Sequence, residues 1–257
     1  MRFKKFLVVV LSIAVILSLN ACSSRHEFFI NVKAGDEYKF LTETSIYANY
    51  DIYGQITSTT QNTSKEFKIL VDSLDSNGNS SLKYVYDYVK LESETDGTKE
   101  VYDSSNPIED IYSKVYANLI GKSFNVNMTK YGKITELLGA DEVIDDVVAS
   151  LLPDDTDEEY LARVKNTLYS SFGNATMRPI IQLPTNIFPE KKKKVGDSWT
   201  IESTIISVAE IDMKTTYTLD KIENNIAYIS VQSEFTSDKT KTHDYQGMDM
   251  KADLTGN

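Results

Sequence analysis

The chain has 257 residues, of which 41% are hydrophobic, so it can bury one large core or two smaller ones. Its formal net charge is -11, and so acidic a surface repels phosphate backbones, which argues against nucleic acid as a partner. With two histidines and one cysteine, the chain has little material for histidine- or cysteine-dependent catalysis.

Residues 1–21 predict an export signal, because a basic start precedes an apolar run from Phe6 to Leu19 that is short for a membrane span. The following Cys22 closes the sequence LNAC, which resembles the lipobox of bacterial lipoproteins. The resemblance implies that the signal is cut before Cys22 and that this cysteine is lipidated on sulfur. The alternative is an ordinary free thiol at the end of an uncleaved anchor.

An anchor at Cys22 would place the mature protein on a bacterial membrane without spanning it. We therefore expect an exported protein on the cell membrane, or on the outer membrane if the source is Gram-negative. Residues 22–27 would be a lipidated tether, and residues 28–257 a single β-rich domain. Losing Arg2, Lys4 and Lys5 with the signal leaves 24 basic against 38 acidic residues. The lone cysteine excludes a disulfide framework or a thiolate metal site.

The first β unit is predicted at residues 28–105. Alternating apolar and polar residues from Tyr38 to Ile52 indicate a half-buried strand, followed by a turn around Gly54. A hairpin is expected to turn at Asn77 and Gly78. The sequence DSNGN at this turn also resembles the start of a calcium loop, but the downstream glutamate is missing at the required spacing.

Three tyrosines in the return strand, Tyr84, Tyr86 and Tyr88, are expected to line one face, with Val85 and Val89 on the other. A strand that is apolar on both faces predicts cover on both sides, by helices or by the other half of a sheet. A carbohydrate platform or a lipid-lined groove would use the same residues.

Residues 106–190 are predicted to be an insertion of helices and one hairpin. Asn106 and Pro107 favour the start of a helix, and a hairpin should turn at Tyr131 and Gly132. A second helix is expected from about Asp141. That helix is expected to end near Pro153. A third helix should begin at a Thr156–Glu159 capping box and stop at Gly173. Residues 177–190, which are rich in proline, are expected to form an extended crossing.

The second β unit, residues 191–257, begins like the first. KVGDSW at Lys194–Trp199 repeats KAGDEY at Lys33–Tyr38, and LDKIENN at Leu219–Asn225 matches VDSLDSN at Val71–Asn77 in residue type, which predicts two related β units. Trp199 is interpreted as a core anchor, with a ligand platform as the alternative.

Few residues suggest chemistry. His26 lies in the tether and His243 in an alternating polar run, where an exposed strand residue is expected. The acidic run Asp154–Glu159 could bind a metal but fits a helix N-terminus better. Lys191–Lys194 is interpreted as a solvated turn. The alternative is that these lysines contact anionic lipid head groups. We predict no catalytic, cofactor-binding or metal-ligating residue, and no cofactor.

The residues KVGDSWT, YDSSNP at Tyr102–Pro107 and LIGKSFNVNMTKYGKITEL at Leu119–Leu137 resemble a family of uncharacterised bacterial lipoproteins that carry a domain of unknown function. The resemblance covers nearly all of the mature chain and implies no activity, cofactor or catalytic residue. Family members usually continue past the position of Gly256 into further strands, so the resemblance implies that the final hairpin here is incomplete.

The patterns together predict an α+β fold, mainly antiparallel β, in which two related β units form a curved sheet or half-barrel with the central helices packed on it. The expected function is that of a membrane-anchored envelope lipoprotein with a non-catalytic binding or structural role. Its partners would be the membrane, through lipidated Cys22, and an apolar ligand or an envelope protein. One alternative is a lipid carrier that resembles the lipoprotein-carrier fold, and a second is a hydrolase that uses acidic residues.

Overall fold

The computed structural model of the chain describes residues 24–52, 55–206, 210–238, 240–245, 248–250 and 255–256. The described residues divide into two compact units. The helix-bearing unit comprises Phe29–Phe188 and Thr204–Ile206, and the all-β unit comprises the described part of Met1–Phe28, Pro189–Ser203 and Ser207–Asn257. The predicted signal segment, Cys22 and the turn at Gly54 lie outside the described residues. The predicted α+β class with antiparallel sheets is confirmed.

A six-stranded antiparallel sheet forms the base of the helix-bearing unit. Its path is β1-β2-β3-β5-β6, and β4 pairs with the far end of β3. The predicted hairpin between β2 and β3 is confirmed, with Gly78 at φ +81° in the turn. The strands are β1 (Glu37–Ile52), β2 (Gln55–Leu74), β3 (Ser80–Thr95), β4 (Thr98–Asp103), β5 (Ser123–Met128) and β6 (Ile134–Leu138).

Four described helices cover one face of this sheet. They are α1 (Ile111–Leu119), α2 (Ala140–Leu151), α3 (Glu158–Phe172) and α4 (Asn174–Thr185). None of the helices in the described ranges is long and apolar enough to cross a membrane.

Two helix starts differ from the sequence-based expectation. The first helix begins after Asp110, whose carboxylate accepts hydrogen bonds from the backbone of Tyr112 and Ser113, and not after Asn106. The third begins after Asp157 rather than Thr156. In both cases an aspartate closer to the first helical residue supplies the side-chain oxygen that the free N–H groups need.

The expected extended crossing over residues 177–190 is wrong, because Asn174–Thr185 is helical although Pro179 and Pro184 lie inside it. Proline removes backbone hydrogen bonds from a helix, so packing has to compensate. Met177 and Ile181, one turn apart, are both fully buried in the core. The Asp141 carboxylate also accepts hydrogen bonds from the backbone and side-chain nitrogens of Asn174 at 2.8 Å, which holds the start of the helix.

Aromatic rings fill the layer between the sheet and the helices. Phe67 and Tyr86 have ring centroids 4.9 Å apart, and the Tyr116 and Phe172 rings lie 5.3 Å apart at 66°. These rings and Phe124 are at most 4% exposed. Burial of such side chains stabilises the fold by roughly 25 cal/mol per Å² of apolar surface.

A β-bulge corrects the predicted faces of β3. Phe67 pairs with Tyr86 and Glu66 pairs with Tyr88, so Asp87 has no partner opposite it in β2. The extra residue shifts the alternation by one. Tyr88 therefore lies on the opposite, polar face of the sheet, and its hydroxyl donates to Asp103 at 3.1 Å. Val89 is buried on the core face in its place.

The all-β unit contains a four-stranded sheet in the order β12-β9-β8-β7, except for the last three residues of β7, Thr204–Ile206, and it also contains a separate two-stranded sheet of β10 and β11. Trp199 is 9% exposed and stacks on Tyr217 with ring centroids 5.5 Å apart, which confirms its burial in a core. The strands are β7 (Ser198–Ile206), β8 (Glu210–Glu223), β9 (Ile226–Ser237), β10 (His243–Tyr245), β11 (Met248–Met250) and β12 (Thr255–Gly256).

Candidate functional site

The residues singled out in the sequence do not converge on a catalytic centre. Cys22 lies outside the described residues, and His243 lies in β10 as expected. His26 forms an isolated β-bridge with Lys193. Over the parts of the chain that the structure describes, no group of three or more His, Cys, Asp or Glu residues could hold a metal ion. The acidic run before α3 caps that helix through Asp157.

The six-stranded sheet has one apolar and one polar face. Lys65 and Phe67 on β2 are buried on the face that the helices cover. Side chains alternate along a strand, so Glu66 and Ser64 face the other way. The register places Glu43, Ser64 and Lys90 in one row across β1, β2 and β3 of this polar face. A second row, two residues along, contains Ser45, Asn62 and Glu92.

A groove of about 370 Å³ lies along these two rows and is here called the polar groove. Its lining carries hydroxyl, amide, carboxylate and ammonium groups, which are hydrogen-bond donors and acceptors of every common type. The lining residues are Glu43, Thr44, Ser45, Asn62, Thr63, Ser64, Lys90 and Glu92.

One end of the polar groove is fixed by an ion pair. The Lys90 ammonium lies 3.0 Å from the Glu92 carboxylate, which also lies 3.9 Å from Lys99. The hydrogen bond from Lys90 lowers the pKa of Glu92 and raises the pKa of Lys90. Glu92 is therefore held ionised as an acceptor and is poorly suited to donate a proton.

The other end of the groove presents groups that remain available. Ser45 donates its hydroxyl to the side-chain oxygen of Asn62 at 2.7 Å, so the Asn62 amide nitrogen is left as a donor. Among the described residues, neither the Glu43 carboxylate nor the Ser64 hydroxyl has a hydrogen-bond or ion-pair partner. This end can therefore exchange hydrogen bonds with a ligand.

Other polar groups of the unit are used structurally. Lys39 pairs with Glu66 at 2.5 Å and with Asp87 at 3.5 Å on the polar face. A smaller groove of about 250 Å³ runs beside the β2–β3 turn, where Asp75 accepts backbone hydrogen bonds from Asn77 and Asn79. These bonds, above all the one from Asn79, lower the pKa of Asp75. The bonds fix the turn, in agreement with the hairpin interpretation of DSNGN.

Lys65 is a charged residue inside the apolar layer, and sequence reasoning missed it. The side chain is 6% exposed, donates to the Ser171 carbonyl at 2.5 Å, and lies 4.6 Å from the centre of the Phe172 ring. Burial lowers its pKa to about 8. The last turn of α3 supplies free carbonyl groups, so this lysine caps the helix C-terminus.

The geometry defines an α+β protein with an aromatic-rich apolar core and a polar groove on one sheet face. The chain belongs to the DUF6263 family of unknown function, whose model matches residues 77–257. The predicted membership in a family of unknown function is thus confirmed, and the lipoprotein assignment stays a prediction. No curated protein and no solved structure matches the chain.

The polar groove was not predicted from sequence. Its residues are small and polar and belong to three strands, with up to 49 positions between Glu43 and Glu92, so no local motif unites them. The available signal was the alternation of Glu66 and Lys68 with Phe67 and Ile69, which predicts a polar face opposite an apolar one. An apolar ligand was expected from the sequence, whereas this groove is polar.

Proposed function

We propose that the protein is an envelope lipoprotein, anchored through Cys22, that binds a polar, hydroxyl-bearing glycan in the polar groove and does not catalyse a reaction. The observation that carries this proposal is the contrast between the two faces of the six-stranded sheet. Side chains that are nearly fully buried fill the apolar face, while the polar face offers Glu43, Asn62 and Ser64 to a ligand.

The groove chemistry favours binding over hydrolysis. Glu43 and Glu92 are two strands apart and could be compared with the carboxylate pair of a glycosidase, which needs one carboxylic acid with a raised pKa. The Lys90 ion pair lowers the pKa of Glu92 instead. An ionised carboxylate and neutral donors suit the hydrogen-bonding of sugar hydroxyl groups.

The lipid-carrier alternative requires an apolar cavity between sheet and helices. The packed rings of Phe67, Tyr86 and Phe172 support a filled layer there. Mass spectrometry of lipids extracted from the purified protein separates the two: stoichiometric lipid beyond the covalent anchor would favour the carrier.

Groove binding is tested by calorimetric titration of the detergent-purified protein with solubilised envelope glycan. Asn62→Ala removes a donor and should weaken binding by about fivefold, since a hydrogen bond contributes about 1 kcal/mol. Asn125→Ala is the matched control, because Asn125 is an exposed asparagine on the same face, in β5, outside the groove lining. Equal affinities for both variants and the wild type would contradict the proposal. Glycan cleavage that disappears in Glu43→Gln would favour the hydrolase.

The anchor is tested independently by detergent-phase partitioning of cells that express the protein. The wild type should enter the detergent phase, and Cys22→Ala should stay aqueous or keep its signal. Equal partitioning of the two processed proteins would rule out lipidation of Cys22.

A further inference from the structure

The strongest unassigned feature is a basic patch in the all-β unit, formed by residues far apart in the sequence. Four consecutive lysines, Lys191–Lys194, lie beside the tether residue Arg25. In a chain with 38 acidic and 27 basic residues, such a concentration of one sign is unusual. These five residues are here called the tether patch.

Backbone hydrogen bonds fix the tether patch. The N–H of His26 donates to the Lys193 carbonyl at 2.7 Å, and the N–H of Lys193 donates to the His26 carbonyl at 2.8 Å. Arg25 donates from its guanidinium to the Lys192 carbonyl at 3.4 Å. The tether therefore pairs with the lysine run as a short antiparallel bridge, and the two segments move together.

The side chains of the patch point to different uses. Lys193 donates to the Ser198 carbonyl at 2.7 Å and lies 5.8 Å from the centre of the Trp199 ring, so it packs on the unit. Arg25, Lys191 and Lys192 are exposed. The exposed acidic residues of the same segments are Glu27 and Glu190, so the basic charges are in excess there.

The position of the patch relative to Cys22 gives it a partner. Three residues lie between Cys22 and His26, so a fully extended chain spans at most about 14 Å from one to the other. Because this is an upper limit, a tether on lipidated Cys22 that is less than fully extended would bring the lysine run within one Debye length of the membrane surface, about 8 Å at physiological salt. Basic residues at such distances are attracted to anionic head groups.

We propose that the tether patch docks on anionic phospholipid head groups and orients the protein on the membrane. This inference rests on the proposed anchor at Cys22. The acyl chain then supplies attachment, and the patch supplies a preferred orientation, as in other two-signal membrane attachments. Each basic residue near an anionic surface favours contact by about fivefold, so two or three exposed side chains are enough to select one orientation.

The experiment is acetylation footprinting of lysines in the lipidated mature protein, reconstituted into phosphatidylcholine vesicles with or without phosphatidylglycerol. Labelling of Lys191 and Lys192 should fall by about fivefold or more on the anionic vesicles and recover at high salt. Labelling of Lys122 and Lys133, exposed lysines of the helix-bearing unit, should be the same on both vesicle types.

The charge-reversal variant Lys191→Glu/Lys192→Glu should lose the protection of Lys194 on anionic vesicles, whereas the matched variant Lys122→Glu/Lys133→Glu should keep it. Trp199 fluorescence checks that the all-β unit of each variant is folded, and ellipticity near 222 nm checks the helix-bearing unit. Equal labelling on neutral and anionic vesicles in a protein that floats with both would overturn the proposal. Failure of the wild type to float would instead contradict the anchor, so the two failures are distinguishable.

Discussion

Asp36 and Asp197 build the same turn in two different units. The Asp36 carboxylate accepts from the N–H of Lys33 at 2.8 Å, and the Asp197 carboxylate accepts from the N–H of Lys194 at 3.1 Å. In each turn the following backbone bonds also agree: the glycine N–H donates to the carbonyl of Val71 or Leu219, and that residue donates back to the aspartate carbonyl. The matched sequences KAGDEY and KVGDSW thus form matched corners, as the predicted repeat requires.

The first prediction is that Asp36→Ala and Asp197→Ala destabilise their units by similar amounts, about 1 kcal/mol each, because each loses the turn hydrogen bond from a lysine N–H. Asp36 also accepts from the Tyr38 hydroxyl at 3.1 Å, but this second bond is exposed and contributes little. Urea unfolding measures both, with helical circular dichroism for the helix-bearing unit and Trp199 fluorescence for the all-β unit. Asp72→Ala, which removes an exposed aspartate from β2, should change stability by less than about 0.5 kcal/mol. A loss of stability in only one of the two variants would contradict the equivalence of the two turns.

The second prediction concerns pH and Lys65. Because burial lowers the pKa of Lys65 from 10.5 to about 8, the unfolded chain binds more protons than the folded one between these values. The free energy of unfolding should therefore rise with pH over this range. The expected gain relative to Lys65→Met is about 3 kcal/mol between pH 7 and 10.5.

Chemical unfolding at a series of pH values measures this difference. Val71→Ala is the control, because it creates a cavity in the same layer without changing a titratable group, so its curve should stay parallel to that of the wild type. A Lys65→Met curve parallel to the wild type would show that Lys65 does not titrate in this range.

The third prediction separates two reasons for needing glycine. Gly132 and Gly97 have φ of +87° and +82°, so alanine is strained at both by about 1–2 kcal/mol. At Gly132 a Cβ would also lie 1.8 Å from the Thr185 carbonyl oxygen, whereas at Gly97 nothing lies within 4 Å. Gly132→Ala should therefore be clearly more destabilising than Gly97→Ala in thermal unfolding. Equal melting temperatures would mean that α4 moves away from the β5–β6 turn without cost.

The fourth prediction concerns acid. Asp145 on α2 accepts from Lys165 and from the Tyr169 hydroxyl of α3, both at 2.6 Å, and the Lys165 hydrogen bond is the main cause of its lowered pKa. A carboxylate with a lowered folded pKa stabilises above its unfolded pKa and loses this effect as pH falls. Asp145→Asn should lower the melting temperature at pH 7, and the difference in melting temperature between the wild type and this variant should become smaller as the pH falls. A difference that does not change with pH would contradict a stabilising role of the Asp145–Lys165 ion pair.

Local sequence patterns predicted those elements whose residues interact with near neighbours. The turn at Asn77 and Gly78, the hairpin at Gly132 and the end of α3 at Gly173 agree with the structure, because each depends on one glycine conformation or on a few adjacent bonds. The helical α4 was missed, because Pro179 and Pro184 favour extended structure locally and the buried Met177 and Ile181 oppose this only through distant contacts.

Features that depend on strand pairing could not be predicted from the sequence, because they also join residues that are far apart in the chain. The bulge at Asp87 depends on the pairing of β2 with β3, and it alone moves Tyr88 to the polar face. The polar groove likewise depends on the register that aligns Glu43 with Ser64 and Lys90. The pairing of His26 with Lys193 joins segments 167 positions apart, and no local signal predicted it.

The burial of the only tryptophan gives the molecule a spectroscopic consequence. Trp199 stacks between Tyr217 and Phe28 in the all-β unit, with centroid distances of 5.5 and 6.5 Å, while all four described helices belong to the other unit. Its emission and near-ultraviolet bands therefore monitor one unit, and ellipticity near 222 nm is dominated by the other. An unlabelled sample thus carries two optical reporters, and a single denaturation series shows whether the two units melt in one step or in two.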